Sequence, residues 1–378
     1  MKSPKPSKLA TQRIFPRTSA DGRPTTSDGR GLVVVVAAFK GGVGKTTTVE
    51  ALMHFCGKKN AFVGPKNSGA RVCLIDMDEQ ATLTFSFGIH PENYDEAIAR
   101  VLAAAAPEKA VGDNILGVKV TRITNLVGII PGGMQIAFAT AGLNALAQQS
   151  GMQTVRDVML DAVDRLRDYF DLILIDMPPA LPALSMTLAL RAGDVLVTPI
   201  TDGGSADTLP IVIDRVTMAN ESRRLDGLKP LQMFLICPML TVLTESDKNK
   251  EAHPLHPEHG RIPPWYRTVQ KHFPQHFIDS PVRFSRRAQE AFGAAHGLTR
   301  VGSDLRLQWR SLFRNLFERI MDVDYPLLQE MLDTGRYSTD EYRADIRRVY
   351  RDEANVVKFN LAGTVTKPTA LPAAAASS

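Results

Sequence analysis

At 378 residues the chain is long enough for one large α/β domain with additions, or for two domains. Its 44% apolar and 22% charged residues can fill a core, which excludes a wholly disordered or fibrous protein. The net charge of +5 equals that of residues 1–31 alone (seven Lys/Arg, two Asp). Residues 261–320 are basic again (eleven against four), and residues 321–355 are acidic (five against nine). Such local fields attract polyanions even when the total charge is modest.

The longest apolar runs fall far short of the roughly 18 residues of a membrane helix. The basic start, MKSPKPSKLATQRIFPRTSADGRP, lacks the apolar stretch of a secretory signal. Cys56, Cys73 and Cys237 lie far apart with no Cys-x-x-Cys. That spacing argues against a disulfide framework or an iron–sulfur site, and for a reducing cytosol.

In chain order, residues 1–31 read as a flexible basic arm. Leu32–Ala38 is a β-branched run, the pattern of a strand buried on both faces. Glycines break it, and Thr46–Phe55 reads as a helix. Arg71–Ile75 is a second buried strand, Glu92–Ala106 a helix opened by Pro91, and Asn125–Ile130 a strand ending at Pro131-Gly132-Gly133. Thr154–Asp168 has helical apolar spacing; Leu172–Ile175, Asp194–Pro199 and Gln232–Ile236 read as strands. Residues 245–281, rich in His and Pro, read as a long surface insertion. Ser303–Asp322 is an amphipathic helix with Leu305, Trp309, Leu312, Phe313, Leu316, Phe317 and Ile320 on its buried stripe. The alternation predicts an α/β fold, a doubly wound, mostly parallel sheet flanked by helices. We expect the main domain over residues 32–322, followed by an acidic and then low-complexity tail over 323–378.

The most informative segment is Lys40-Gly41-Gly42-Val43-Gly44-Lys45-Thr46-Thr47, between a buried strand and a helix. Glycines let the backbone wrap a polyphosphate and aim its N–H groups inward, and the helix start adds positive potential. Lys45 would reach the β- and γ-phosphates, and the Thr46 hydroxyl would ligate Mg²⁺. Two acidic motifs end apolar strands where open α/β sheets bind ligands: Asp76-Met77-Asp78-Glu79-Gln80 and Asp176-Met177-Pro178-Pro179. A buried carboxylate needs a cation or hydrogen bonds.

The ordinary phosphate loop would place Gly at position 39; here Phe39 precedes Lys40. The segment resembles the deviant Walker A motif of the ParA/MinD family of ATPases, and the two acidic motifs match that family's D-x-D-P-Q and D-x-P-P in order. The resemblance implies a deviant-Walker P-loop NTPase fold and slow, partner-stimulated hydrolysis of ATP with Mg²⁺. It implies that Lys40 reaches the partner's phosphates in a nucleotide-sandwich homodimer. It assigns Asp176 to Mg²⁺ through water, Asp78 to positioning the attacking water, and Asp76 to a supporting place near the metal. Glu79 departs from the family's Pro, which puts the stiffness of that loop in question.

Arg306, Arg310 and Arg314 stand at i, i+4 and i+8 on the polar flank of the last helix, suited to phosphate contacts. By resemblance the chain would bind DNA without sequence preference, associate with the nucleoid in the cytoplasm, and move a plasmid or chromosome with a ParB-like adaptor. The alternative is the same switch positioning a protein cargo or polar machine. A MinD-like regulator on a membrane surface fits less well, since Glu341–Phe359 has charges on all sides. His253, His256, His259, His272 and His276 have metal-like spacing but Pro- and Glu-rich surroundings, which favour a solvated loop.

Overall fold

The computed structural model describes residues 17–18, 24–25, 30–56, 70–90, 121–123, 127–179, 183–231, 233–241, 264–284, 303–320 and 337–356. Its strands are β1 (Arg17–Thr18), β2 (Pro24–Thr25), β3 (Leu32–Val36), β4 (Val72–Asp76), β5 (Thr121–Arg122), β6 (Val127–Ile130), β7 (Leu172–Asp176), β8 (Val195–Ile200), β9 (Met233–Thr241) and β10 (Val282–Phe284). Its helices are α1 (Lys45–Cys56), α2 (Thr82–Ser86), α3 (Gln135–Ser150), α4 (Val158–Leu166), α5 (Ala183–Ala192), α6 (Gly203–Asp207), α7 (Leu209–Leu225), α8 (Pro264–His272), α9 (Ser303–Ile320) and α10 (Thr339–Val356).

The main sheet runs β10-β9-β8-β3-β7-β4-β6-β5. Its pairings are parallel except at the edge, where β5 lies antiparallel to β6. The β-branched run of β3 is continuous because both faces are covered. Leu32, Val34 and Val36 face α1 and α9, against Leu52, Met53, Trp309 and Phe313. Val33 and Val35 face the other layer, with Met159 and Val163 of α4, Leu188 of α5 and Val212 of α7. Leu172 and Leu174 of β7 share the first face, Ile173 and Ile175 the second. This alternation makes a doubly wound sheet with helices on both sides, as expected.

In α9 the expected stripe Trp309, Leu312, Phe313 and Leu316 is buried, and Phe313 meets Phe55 of α1 at 5.5 Å. Leu305, Phe317 and Ile320 have side chains outside the described residues. The expected helix over 92–106, the low-complexity end, and most of the arm also lie outside them.

Two segment readings need correction. The expected surface insertion becomes, from Pro264 on, helix α8, which buries Trp265, Tyr266 and Val269, followed by buried Phe273 and Phe277. Aromatic rings at near-helical spacing outweigh the polar residues around them. The expected acidic tail contains α10, which buries Tyr342 and Ile346, one helical turn apart. Phe273 packs edge-on to Tyr342 at 5.2 Å and against Tyr337 at 4.9 Å. Asp345 meets Lys271 at 2.9 Å and His272 at 3.0 Å. The Tyr342 hydroxyl donates to the Ala206 carbonyl at 2.6 Å, tying α10 to α6.

Candidate functional site

Strands β3, β4 and β7 end side by side: Val36 pairs with Asp176, and Asp176 with Asp76. The Lys40–Gly44 loop follows β3 directly. It turns through Gly42 at φ +73° and Gly44 at φ +87°, a region L side chains rarely adopt. Thr48 closes the turn, its backbone N–H and its hydroxyl both donating to the Gly44 carbonyl, at 2.8 and 2.7 Å.

Lys45, the first residue of α1, is buried and donates to the Lys40 carbonyl at 3.0 Å. Burial pushes its ammonium pKa down, against the pull of Asp176 and Asp78. The Thr46 hydroxyl donates to Asp176 Oδ2 at 2.7 Å. Asp176 Oδ1 is buried with no hydrogen-bond partner among the described residues. Burial and the neighbouring Asp76 push the Asp176 carboxyl well above the usual range, against Thr46 and Lys45.

Asp76 is knotted into the backbone. It accepts from the Thr84 N–H at 2.9 Å, the Thr84 hydroxyl at 2.7 Å and the Asp78 N–H at 3.0 Å. Its pKa is pushed up to about 6, because burial and Asp78 outweigh those donors. Asp78 is only half-buried; it accepts from the Gln80 N–H at 3.0 Å, an Asx turn that aims the loop. Ala81, at φ +50°, then bends the chain into α2.

Sequence reasoning missed three residues here. The Gly132 N–H donates to Thr84 Oγ1 at 2.9 Å, and a Cβ at Gly132 would stand 2.7 Å from both Asp76 Cγ and the Asp78 carbonyl. The Pro-Gly-Gly after β6 was the available signal. Thr84 carried none, because its role depends on contact between distant loops. Asp202 is the third: its Oδ2 holds the Lys40 ammonium at 2.6 Å. Lys40 therefore contributes its carbonyl to the phosphate loop while its side chain rests on α6.

The loop residues Lys40 to Thr47, with Asp76, Asp78 and Asp176, are thus gathered at the carboxyl edge of the sheet. Arg306, Arg310 and Arg314 are placed on α9 instead. Arg310 and Arg314 are exposed there, and the Arg306 side chain lies outside the described residues. The described residues hold no cluster of three or more His, Cys, Asp or Glu arranged for a metal. Of the five histidines, His272 pairs with Asp345 and His276 is buried, while His253, His256 and His259 lie outside the described residues.

A family model described as an AAA domain matches residues 31–222, just over half of the chain. The chain belongs to the ParA/MinD-type partition ATPase family. It is 33% identical over 172 residues to the sporulation initiation inhibitor protein Soj of Bacillus subtilis, covering 45% of this chain and 58% of Soj. It is 28% identical over 201 residues to the maintenance of carboxysome distribution protein A of Synechococcus elongatus, covering 52% and 69%. The chain spans only about half the length of the first curated relatives it matches. The fold is similar to that of apo McdA from Cyanothece, with TM-score 0.56 and 22% identity over 75% of this chain and 99% of that one. The family match ends at residue 222, so α8, α9 and α10 lie outside it. No helix among the described residues is long and apolar enough to cross a membrane.

Proposed function

We propose that this family member is a slow ATPase that binds ATP with Mg²⁺, closes into a sandwich dimer and, in that state, binds DNA without sequence preference. The observation that carries the nucleotide reading is the junction of Thr46 and Asp176. One Asp176 oxygen accepts from the Thr46 hydroxyl, and the other is buried without a partner. A buried carboxylate oxygen left so is costly unless a hydrated cation meets it. The donor set is oxygen only, which suits Mg²⁺. Thr46 would hold the ion directly and Asp176 through water; bound there, Mg²⁺ neutralises charge on the phosphates.

The remaining roles belong to the chain's own groups. The N–H groups of residues 41–47 and the Lys45 ammonium bind and orient the polyphosphate. Asp78, half-buried on its Asx turn, holds the attacking water, and the Asp76–Thr84–Gly132 knot holds Asp78 in place. Lys40, delivered from a second copy, offsets charge on the transferring phosphoryl group.

The exposed Arg310 and Arg314, with Arg306 one turn earlier, form the DNA row. A ParB-like adaptor would stimulate hydrolysis, and the cargo would be a plasmid or chromosome at the nucleoid. Likeness to the carboxysome distribution protein supports a second reading, in which the same switch positions a protein cargo. The membrane-surface reading loses support, because the apolar residues Tyr342 and Ile346 of α10 are spent on the chain's own core.

Titration calorimetry with ATP and Mg²⁺ tests the nucleotide reading. Lys45→Ala removes the buried cation that faces the phosphates and should weaken binding at least about a hundredfold, since a buried charge pair left half-made costs several kcal/mol. The melting temperature of the variant without nucleotide checks that the fold survives. Parental affinity would sink the assignment of the loop.

A further inference from the structure

The Lys40 side chain lies in a bed built on α6. Its ammonium meets Asp202 Oδ2 at 2.6 Å, with the two side chains 41% and 44% exposed. The other carboxylate oxygen, Oδ1, accepts from the Ser205 N–H at 2.7 Å and caps α6. Ser205 returns the contact: its hydroxyl oxygen accepts from the Asp202 N–H at 3.0 Å and the Thr201 N–H at 2.9 Å. Asp202 is therefore fixed on one side by its own helix, with its free oxygen aimed at Lys40. Gly204 makes the room, since a Cβ there would stand 3.0 Å from Lys40 Nζ and 3.8 Å from its Cε. The outer side of α6 is braced by the Tyr342 hydroxyl on Ala206.

An ammonium laid over the first turn of a helix meets that turn's free N–H groups, which repel it. Asp202 reverses the sign at this spot. Burial works against its charge, but Lys40 and Ser205 outweigh burial and hold the carboxyl below its ordinary range. The pair is nevertheless half in water, and such pairs are worth little individually. It can hold Lys40 while no better anion is present and release it to a polyphosphate, whose several charges outbid one carboxylate.

We infer that Asp202 is a positioning residue: it parks Lys40 on its own subunit until the nucleotide of a second copy takes over, and so sets the ATP level at which dimers form. This inference rests on the proposed delivery of Lys40 between subunits. Only protomers with Lys40 released are competent, so the apparent dimer affinity is reduced by the parked fraction, once for each protomer.

The test is dimer formation by the full chain, followed by light scattering across a titration of ATP with Mg²⁺. Asn caps helices as well as Asp does, so Asp202→Asn keeps α6 and removes only the ion pair. The ATP midpoint should fall about three- to tenfold, because each of two protomers gives up one half-exposed pair. The melting temperature without nucleotide should stay at the parent's value. Gly204→Ala crowds Lys40 out of its bed while leaving Asp202 charged, and should shift the midpoint the same way. If Asp202→Asn folds poorly, this second variant decides. A parental midpoint in the folded variants overturns the inference. So does a raised midpoint in Asp202→Asn, which would place the carboxylate in the assembled dimer instead. Lys40→Ala separates the two levels: if it dimerises like the parent, the delivery of Lys40 between subunits is itself wrong. If it fails to dimerise while Asp202→Asn keeps the parental midpoint, only the parking role falls.

Discussion

Glu50 offers a prediction whose size follows from its surroundings. It lies on α1, one turn beyond Thr46, and is 3% exposed. Burial pushes its carboxyl from the ordinary 4.5 up to about 7, against a hydrogen bond with Ser86 that pulls the other way. The folded chain therefore binds this proton more tightly than the unfolded chain. Stability from this group is complete below pH 4.5 and is lost as the pH rises towards 7. The gap corresponds to ~3 kcal/mol lost above pH 7. Glu50→Gln keeps the volume and a hydrogen-bonding group for Ser86 but carries no charge. It should be more stable than the parent by about 1–3 kcal/mol at pH 8 and equal to it at pH 4.5. Urea denaturation of both proteins at intervals from pH 4.5 to 8.5 measures the difference. An advantage that does not change with pH would mean that packing, not charge, is responsible. A loss of stability at pH 8 would mean that ionised Glu50 has a stabilising partner, and would refute the reasoning.

Two further outcomes follow from the site and from α9. Gly132→Ala places a methyl against Asp76 and the Asp78 carbonyl, so it should cost about 1–3 kcal/mol of stability by overpacking. It should also slow ATP turnover at saturating nucleotide about tenfold or more by moving Asp78; unchanged turnover and melting would remove Gly132 from the supporting shell. Replacing Arg306, Arg310 and Arg314 together by Glu should abolish binding to random-sequence duplex while the Trp309–Phe313 stripe keeps the fold. Parental binding should need ATP and weaken steeply with salt, and fluorescence anisotropy over a salt series checks both. Binding that survives the triple substitution would move the DNA surface elsewhere.

What was legible in the sequence was whatever local chemistry dictates. The buried runs of β3, β4 and β7 announced themselves, because a strand covered on both faces admits few polar residues. The glycines of the phosphate loop and the strand-end carboxylates are likewise local demands. Helix α3 was not read, because QIAFATAGLNALAQQS is rich in small residues on every side; only Ile136, Thr140 and Leu143 are buried, at helical spacing that the alanines hide. Helix α10 looked like a charged tail because two residues carry most of its burial. Its start was nevertheless written in Ser338-x-x-Glu341, the pattern of a capping box, and the Ser338 hydroxyl does accept from the Glu341 N–H at 3.3 Å. The contacts that depend on distant loops meeting were not legible: Pro131-Gly132-Gly133 marked a turn but not its partner Thr84, and nothing local paired Lys40 with Asp202.

The charge balance of the site links its parts. Asp76, Asp78 and Asp176 converge at the strand ends, and Lys45 is the buried cation that faces two of them. The consequence is visible in both signs: burial and mutual repulsion push Asp76 and Asp176 up, while burial pushes Lys45 down. Each shift means that the charged form is less comfortable than in water. A polyphosphate alone would add more negative charge and make the imbalance worse. A divalent cation at Thr46 and Asp176 answers the carboxylates, and an added ammonium answers the phosphates. The Lys40 ammonium is held by Asp202 on α6, and therefore does not relieve the site from within its own subunit. The arrangement leaves a demand for positive charge that metal and a second copy of the chain can meet together. On the proposed reading, that demand would couple nucleotide binding to dimerisation.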